Sequence, residues 1–341
     1  MTSAQRVFTA IGQSEPDRVP FFLLLSLHGA KELGMSIEEY FSKAKNVYDG
    51  QIKLREKYSH DCYYSFFYTP IEVEAFGADV LYSKDGPPNA GAPFLKIDAI
   101  KDLKVPIISE SEPLQRVLEA TAMLKKSAGD DVPIIGVVVS PFSLPVMQLG
   151  FDKYLDLIYS DRELFDKLMD INIEFCVNYS NAQLEAGATA ICYFDPVSST
   201  TIIPRELYLE TGHKVAKRTI SAINGPIATH FASGNCLPIL KDVATTGTAV
   251  VGVSSLEDLA ELKSEADAKL TLLGNLNAIE MRHWSAEETH EKVKEAISKA
   301  AVGGGFILAE NHGEIPWDIR DETLFAIRDA VFKYGTYPIK L

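Results

Sequence analysis

The chain has 341 residues, long for one ordinary domain but normal for an α/β barrel with extra segments. Apolar residues make up 46 %, enough for a large core, and no run reaches the roughly 18 apolar residues of a membrane span. A net charge of −14 lacks the basic footprint of nucleic-acid binding and argues, more weakly, against a highly anionic substrate.

The first apolar run, 19–27, has no basic flank and no small-residue cleavage site, so it reads as a buried strand over 20–25 and not as a signal peptide. A cytoplasmic chain is expected, with no membrane contact. An amphipathic helix is expected over 38–58 and a further strand near 62–67. Residues 75–98, with Pro87, Pro88 and Pro93, read as an irregular excursion that could include a hairpin beside the site. Short runs rich in Val, Ile, Leu and Phe then recur at 133–139, 189–194, 226–231, 248–253, 270–273 and 305–309, as strands buried on both faces do. Helices separate them. Asp161 is a natural N-cap for 162–186, Ser254 and Ser255 precede another helix start, and Ser285-Ala-Glu-Glu resembles a capping box. The expectation is α/β: one (β/α)8 TIM barrel domain over 1–341. The thiols Cys62, Cys176, Cys192 and Cys236 form no Cys-x-x-Cys pair and are expected to be reduced and mostly buried.

In such a barrel the chemistry sits where strands end. Those positions hold Ser26 and His28, Ser140, Asp195, His230, Ser254, Asn275, and Glu310-Asn311-His312. The serines and Asn275 have helix capping as an alternative role. Asp195 precedes Pro196, which holds it extended; its alternative is a salt bridge to Arg205. His230 could equally be a hydrogen-bonded core histidine. The run Glu310-Asn-His-Gly-Glu314 is the densest polar cluster and is hard to explain by packing alone. Cys236 lies too far from His230 to make a zinc motif, and Gly303-Gly-Gly305 lacks the lysine of a phosphate loop.

Several ordered segments carry a resemblance. They are Pro16-Asp-Arg-Val-Pro20, Val73-Glu-Ala-Phe-Gly77, Asp195-Pro-Val-Ser, Gly225-Pro-Ile-Ala-Thr-His230 with Ser-Gly-Asn235, Leu273-Gly-Asn-Leu-Asn277, Gly304-Gly-Phe-Ile-Leu308 and Tyr334-Gly. Together they resemble the uroporphyrinogen decarboxylase superfamily, which implies a distorted (β/α)8 barrel. It also implies one of two activities: porphyrinogen decarboxylation, or methyl transfer from a methylated corrinoid, often to the thiol of coenzyme M.

Departures from both patterns are informative. The decarboxylases carry arginines after the first strand to clamp substrate carboxylates; here that loop reads Ser26-Leu-His-Gly-Ala-Lys31-Glu, although His312-Gly313 is similar to that branch. The thiol methyltransferases carry His-x-Cys and a later Cys as zinc ligands. Here His230 remains, Ala232 stands at the Cys position, and no Cys follows the last strand, so no zinc is expected. A ring nitrogen needs no such activation. The chain looks most like the branch that passes glycine-betaine-derived methyl groups to tetrahydrofolate in anaerobic one-carbon metabolism.

That resemblance implies methylcobalamin, or a small corrinoid-binding protein, and tetrahydrofolate as co-substrates. Asp195, Asn275, Glu310 and Asn311 would meet the pterin edge, and Tyr193 and Phe231 would flank its ring. His230 and His312 would move protons, with Asn277, Ser140 and His28 completing the substrate contacts. The chain could form a homodimer. A thiol methyltransferase, a decarboxylase and a non-catalytic binding protein are the alternatives.

Overall fold

A computed structural model describes residues 1–340. Its strands are β1 (Tyr63–Tyr64), β2 (Val80–Leu81), β3 (Asn89–Ala90), β4 (Ile134–Val139), β5 (Ala190–Phe194), β6 (Ile227–His230), β7 (Val250–Gly252), β8 (Thr271–Leu276) and β9 (Phe306–Glu310). Seven of them form one curled parallel sheet in the order β1-β4-β5-β6-β7-β8-β9. The remaining two pair antiparallel, Val80 with Ala90 and Leu81 with Asn89, and make the hairpin inside the 75–98 excursion.

Alternation along each strand separates two cores. Phe22, Leu24, Tyr64, Val137, Cys192, Val250, Leu273 and Ile307 cluster on the inner face of the curl. Val251, Leu272 and Leu308 face the helices. Each such side chain, once buried, stabilises the fold by about 1.5–3 kcal/mol. All four cysteines are buried free thiols.

Of the eight strands expected, seven are regular and form this curled sheet, with no ladder between β9 and β1. Residues 20–25 lie between β9 and β1 but do not make a regular strand. Phe21 bridges Leu308, with the Leu308 amide donating to Pro20 at 2.9 Å and the Phe22 amide donating to Leu308 at 2.8 Å. On the other side, side chains take the backbone groups a ladder would use. Asp61 accepts the Phe21 amide at 3.0 Å. Gln51 donates to the Leu25 carbonyl at 2.7 Å and accepts the Tyr64 amide at 3.0 Å. With Pro20 supplying no N–H, little is left for a strand. Asp61 is fully buried and also receives Arg6 and Arg18, each at 2.7 Å, which anchors this segment at the end of the sheet away from the site.

Helix 38–58 divides into Ile37–Phe41 and Ala44–Tyr58 at an extended Lys43. Asp161 caps Arg162–Ala186 through the Leu164 amide, and Ser285 caps Ala286–Ala300 through the Glu288 amide. The helix expected after Ser254 and Ser255 begins at Leu259. Its cap is Asp258, while the Ser254 hydroxyl donates to the Ser233 carbonyl at 3.0 Å. No helix among the described residues is long and apolar enough to cross a membrane.

Candidate active site

Strand β9 ends in Glu310, and the chain then turns back across the open end of the sheet. Glu310 shapes that turn: its carboxylate accepts the amides of His312 and, at 2.9 Å, Gly313. Tyr64 on β1 donates its hydroxyl to the Gly313 carbonyl at 2.8 Å, and the Ile315 amide donates to Leu24 at 3.0 Å. The loop thereby roofs a cavity of about 260 Å³ whose walls include Tyr64, Phe66, Phe194, His312, Glu314 and Trp317. The walls are chiefly aromatic and aliphatic. Lysine and arginine are absent from the lining. Lys31 donates to the Trp317 carbonyl and lies 4.3 Å from the centre of its ring.

Two carboxyls meet here. Burial pushes Glu310 up to about 7 despite its two amide donors. Glu314 is pushed up to about 8, by burial and by the neighbouring charge of Glu310, and the Ser26 hydroxyl donates to it. Two acids whose charged forms disfavour each other hold a proton near neutral pH.

The histidines are neutral in the same range. His230 ends β6, and its Nδ1 accepts the Ala232 amide at 3.0 Å, which leaves the ring proton on Nε2. Nε2 is buried without a partner, and burial with some repulsion from His312 lowers the ring to about 4. Space for this ring depends on Gly252 in β7, where a Cβ would fall 2.3 Å from His230 Cδ2. His312 is also lowered by burial, and its Nδ1 shares a hydrogen bond of 2.7 Å with the Ser233 hydroxyl. Asn311 donates to that hydroxyl at 3.2 Å and accepts the Ala278 amide at 3.2 Å, tying three loops together.

His230, Glu310, Asn311 and His312 thus converge. The rest of the expected pterin-contact set faces elsewhere. Asp195 is buried and accepts the hydroxyls of Ser140 and, at 2.9 Å, Ser143; burial raises its pKa. Arg205 pairs with Asp242 at 2.8 Å, so Asp195 lacks the salt bridge considered for it. Tyr193 and Phe231 point into the helix-side cores. The Asn275 amide donates to the carbonyls of Ser254 and Glu257 at 2.8 and 3.1 Å and, with Asn277, lines a separate polar groove. Asn277 caps the Ile279 and Glu280 amides, each at 3.1 Å. His28 opens a short helix beside Trp317, 6.0 Å ring to ring, and burial lowers it to about 3.

The sequence placed Glu314 in the polar cluster without a role, and it did not single out Tyr64, Phe66, Phe194 or Trp317. Glu72 carries no signal in the sequence. It is buried in the helix Ile71–Ala75, accepts the Val139 amide at 2.6 Å with Oε1, and has no partner for Oε2.

Zinc does not fit these residues. Ala232 contributes an amide to His230 where a ligand would stand, and no three of the His, Cys, Asp and Glu groups among the described residues gather to hold a metal ion.

Family membership follows from the sequence as a whole: the family described as Uroporphyrinogen decarboxylase (URO-D) matches residues 2–334. The chain belongs to the URO-D family. Within that family it is 26 % identical over 275 residues to the uroporphyrinogen decarboxylase of Mannheimia succiniciproducens, covering 77 % of this chain and 75 % of that one. It is 27 % identical over 219 residues to the methylcobamide:CoM methyltransferase MtaA of Methanosarcina barkeri, covering 63 % of each. A solved methyltransferase from Methanosarcina mazei superposes with a TM-score of 0.86 over 98 % of this chain and 99 % of its own, at 22 % identity, and establishes the shared fold. The URO-D chain is therefore related to decarboxylases and to corrinoid-dependent methyltransferases alike.

Proposed function

We propose that this URO-D family member is a zinc-independent methyltransferase that moves a methyl group between a methylated corrinoid and tetrahydrofolate. The observation that carries the reading is the lining of the cavity: aromatic walls, one carboxyl, and no guanidinium or ammonium group. A porphyrinogen bearing many carboxylates needs cationic clamps, and burying it here would leave its charges unpaired. A flat, largely uncharged ring system suits Tyr64, Phe66, Phe194 and Trp317.

The acceptor nitrogen supplies its own lone pair, so positioning and proton control are the enzyme's tasks. Glu310 and Asn311 hold the loop that builds the cavity, and neutral His312 and His230 are available to relay a proton. The corrinoid reaches the same opening on a small carrier protein, in the manner of the glycine betaine branch, and residues 20–25 stand in for the eighth strand of the barrel.

The relationship to the Methanosarcina barkeri enzyme favours a second reading, transfer to a thiol. Burial pushes the thiols of Cys62, Cys176, Cys192 and Cys236 up, away from the thiolate form a zinc ligand takes, and among the described residues no zinc-ligand set accompanies His230. Parallel assays of methylcobalamin demethylation with tetrahydrofolate and with coenzyme M, beside uroporphyrinogen decarboxylation, decide among the three. Demethylation dependent on tetrahydrofolate supports the proposal; activity confined to thiol or porphyrinogen overturns it.

A further inference from the structure

Glu314 is the carboxyl that lines the cavity, and its two oxygens are not equivalent. Oε1 receives the Ser26 hydroxyl, which fixes the plane of the carboxyl group. Glu310, by contrast, spends its oxygens on the amides of His312 and Gly313 within its own turn. Trp317 and Phe66 stand beside Glu314 in the same wall. Glu310 and Tyr64 face it from the sheet side and the Leu27 backbone amide also donates to its carboxylate, while His28 and Lys31 of the helix His28–Leu33 pack on Trp317 and Arg282 acts on His312.

We propose that Glu314, oriented by Ser26, takes the proton released when a nitrogen acceptor is methylated, and that Glu310 is the positioning residue that holds its loop. This assignment rests on the methyltransferase reading and specifies the acceptor class as an N–H nitrogen of a flat heterocycle. The balance is simple. The nitrogen lone pair forms the new N–C bond, the electron pair of the broken cobalt–carbon bond stays on the corrinoid, and the N–H proton passes to the Glu314 carboxylate. Water entering from the open end then removes it. A thiol must lose its proton before it attacks, whereas the amine attacks with its lone pair and releases the proton afterwards, to the carboxylate beside it. The raised proton affinity of Glu314 agrees with the task, because a base works best when its pKa lies near the working pH.

The test pairs kinetics with a signal independent of turnover. Single-turnover demethylation of methylcobalamin with saturating tetrahydrofolate is followed from pH 5.5 to 9.5. Wild type should slow toward acid as Glu314 becomes protonated. Glu314→Gln should lose roughly a hundredfold, as removal of a general base does, and lose that acid limb. Ser26→Ala should keep the limb with a smaller rate loss, which guards against misfolding of the first variant. In a Trp284→Phe background, Trp317 fluorescence should titrate with pH, and Glu314→Gln should abolish the titration. If Glu314→Gln transfers the methyl group within about twofold of wild type with the limb intact, the proton role is overturned and the methyltransferase reading stands. If wild type methylates thiols and not tetrahydrofolate, the acceptor reading itself fails and takes the proton role with it, whatever Trp317 reports.

Discussion

His230 Nδ1 accepts the backbone amide of Ala232 at 3.0 Å. The residue that stands where the thiol branch resemblance calls for a ligand therefore sets the tautomer of the histidine, and does so through its main chain. Ala232 holds a left-handed φ of 53°, which brings the amide round to the ring. The purified protein is accordingly expected to contain no stoichiometric zinc and to keep its activity with a chelator present. Elemental analysis with chelator treatment checks this; one zinc per chain, with activity lost on its removal, contradicts it.

The fit of His230 against Gly252 is equally specific. A Cβ at 252 would lie 2.3 Å from Cδ2 and 2.8 Å from Nε2, so the ring must move. Gly252→Ala should lower the methyl-transfer rate about tenfold or more, because small misplacements of a reacting group are costly, while the fold survives. Rates compared at matched folded fractions by circular dichroism test it, and an unchanged rate removes His230 from the chemistry.

Asp195 is a joint between the loops that follow β4 and β5, accepting from Ser140 and Ser143, which in turn receives the Val197 amide at 3.2 Å. Asp195→Ala leaves two buried hydroxyls without their acceptor, at about 1–3 kcal/mol each. Reduced stability with nearly unchanged tetrahydrofolate affinity per folded molecule is expected. Denaturant titration beside calorimetry separates the two effects, and lost affinity at full stability would return Asp195 to the site.

Glu72 offers a test of pH dependence. Burial raises its pKa from 4.5 to about 8. The folded state thus holds a proton that the unfolded state releases near 4.5, and the associated stability, full at low pH, is lost as pH rises toward 8. Glu72→Gln removes the titration. Relative to wild type, its Tm should gain progressively between pH 5 and pH 8.5, by about a few degrees. Thermal unfolding across that range measures the trend; a constant offset at all pH values contradicts it.

Much of this was legible in the chain. Ile134–Val139 and Phe306–Glu310 are apolar on both faces, and that alone placed them in a parallel sheet with Glu310 at its functional end. The 20–25 run has the same composition yet forms no regular strand, since beyond its single bridge to Leu308 it is held on the other side by the side chains of Asp61 and Gln51, distant in sequence. Tyr193 and Phe231 were misdirected for a simpler reason. The inward residues are Cys192 and His230, and the neighbour on a strand faces the other way. Asn275 faces the carbonyls of the preceding strand's loop, a contact no local pattern announces. Glu314 and Glu72 look like ordinary acidic residues in sequence, and only the packing reveals that Glu72 is buried and that Glu314 stands in the cavity wall.

The proposed reaction is methyl transfer to a nitrogen of tetrahydrofolate. Its most direct test is 13C NMR of the product formed from [13C]methylcobalamin and tetrahydrofolate by the protein with chelator present. A methyl resonance at the N5 position, forming in step with cob(I)alamin and only with enzyme present, is the result predicted. Labelled methyl remaining on cobalt with tetrahydrofolate, but passing to coenzyme M under the same conditions, would contradict it.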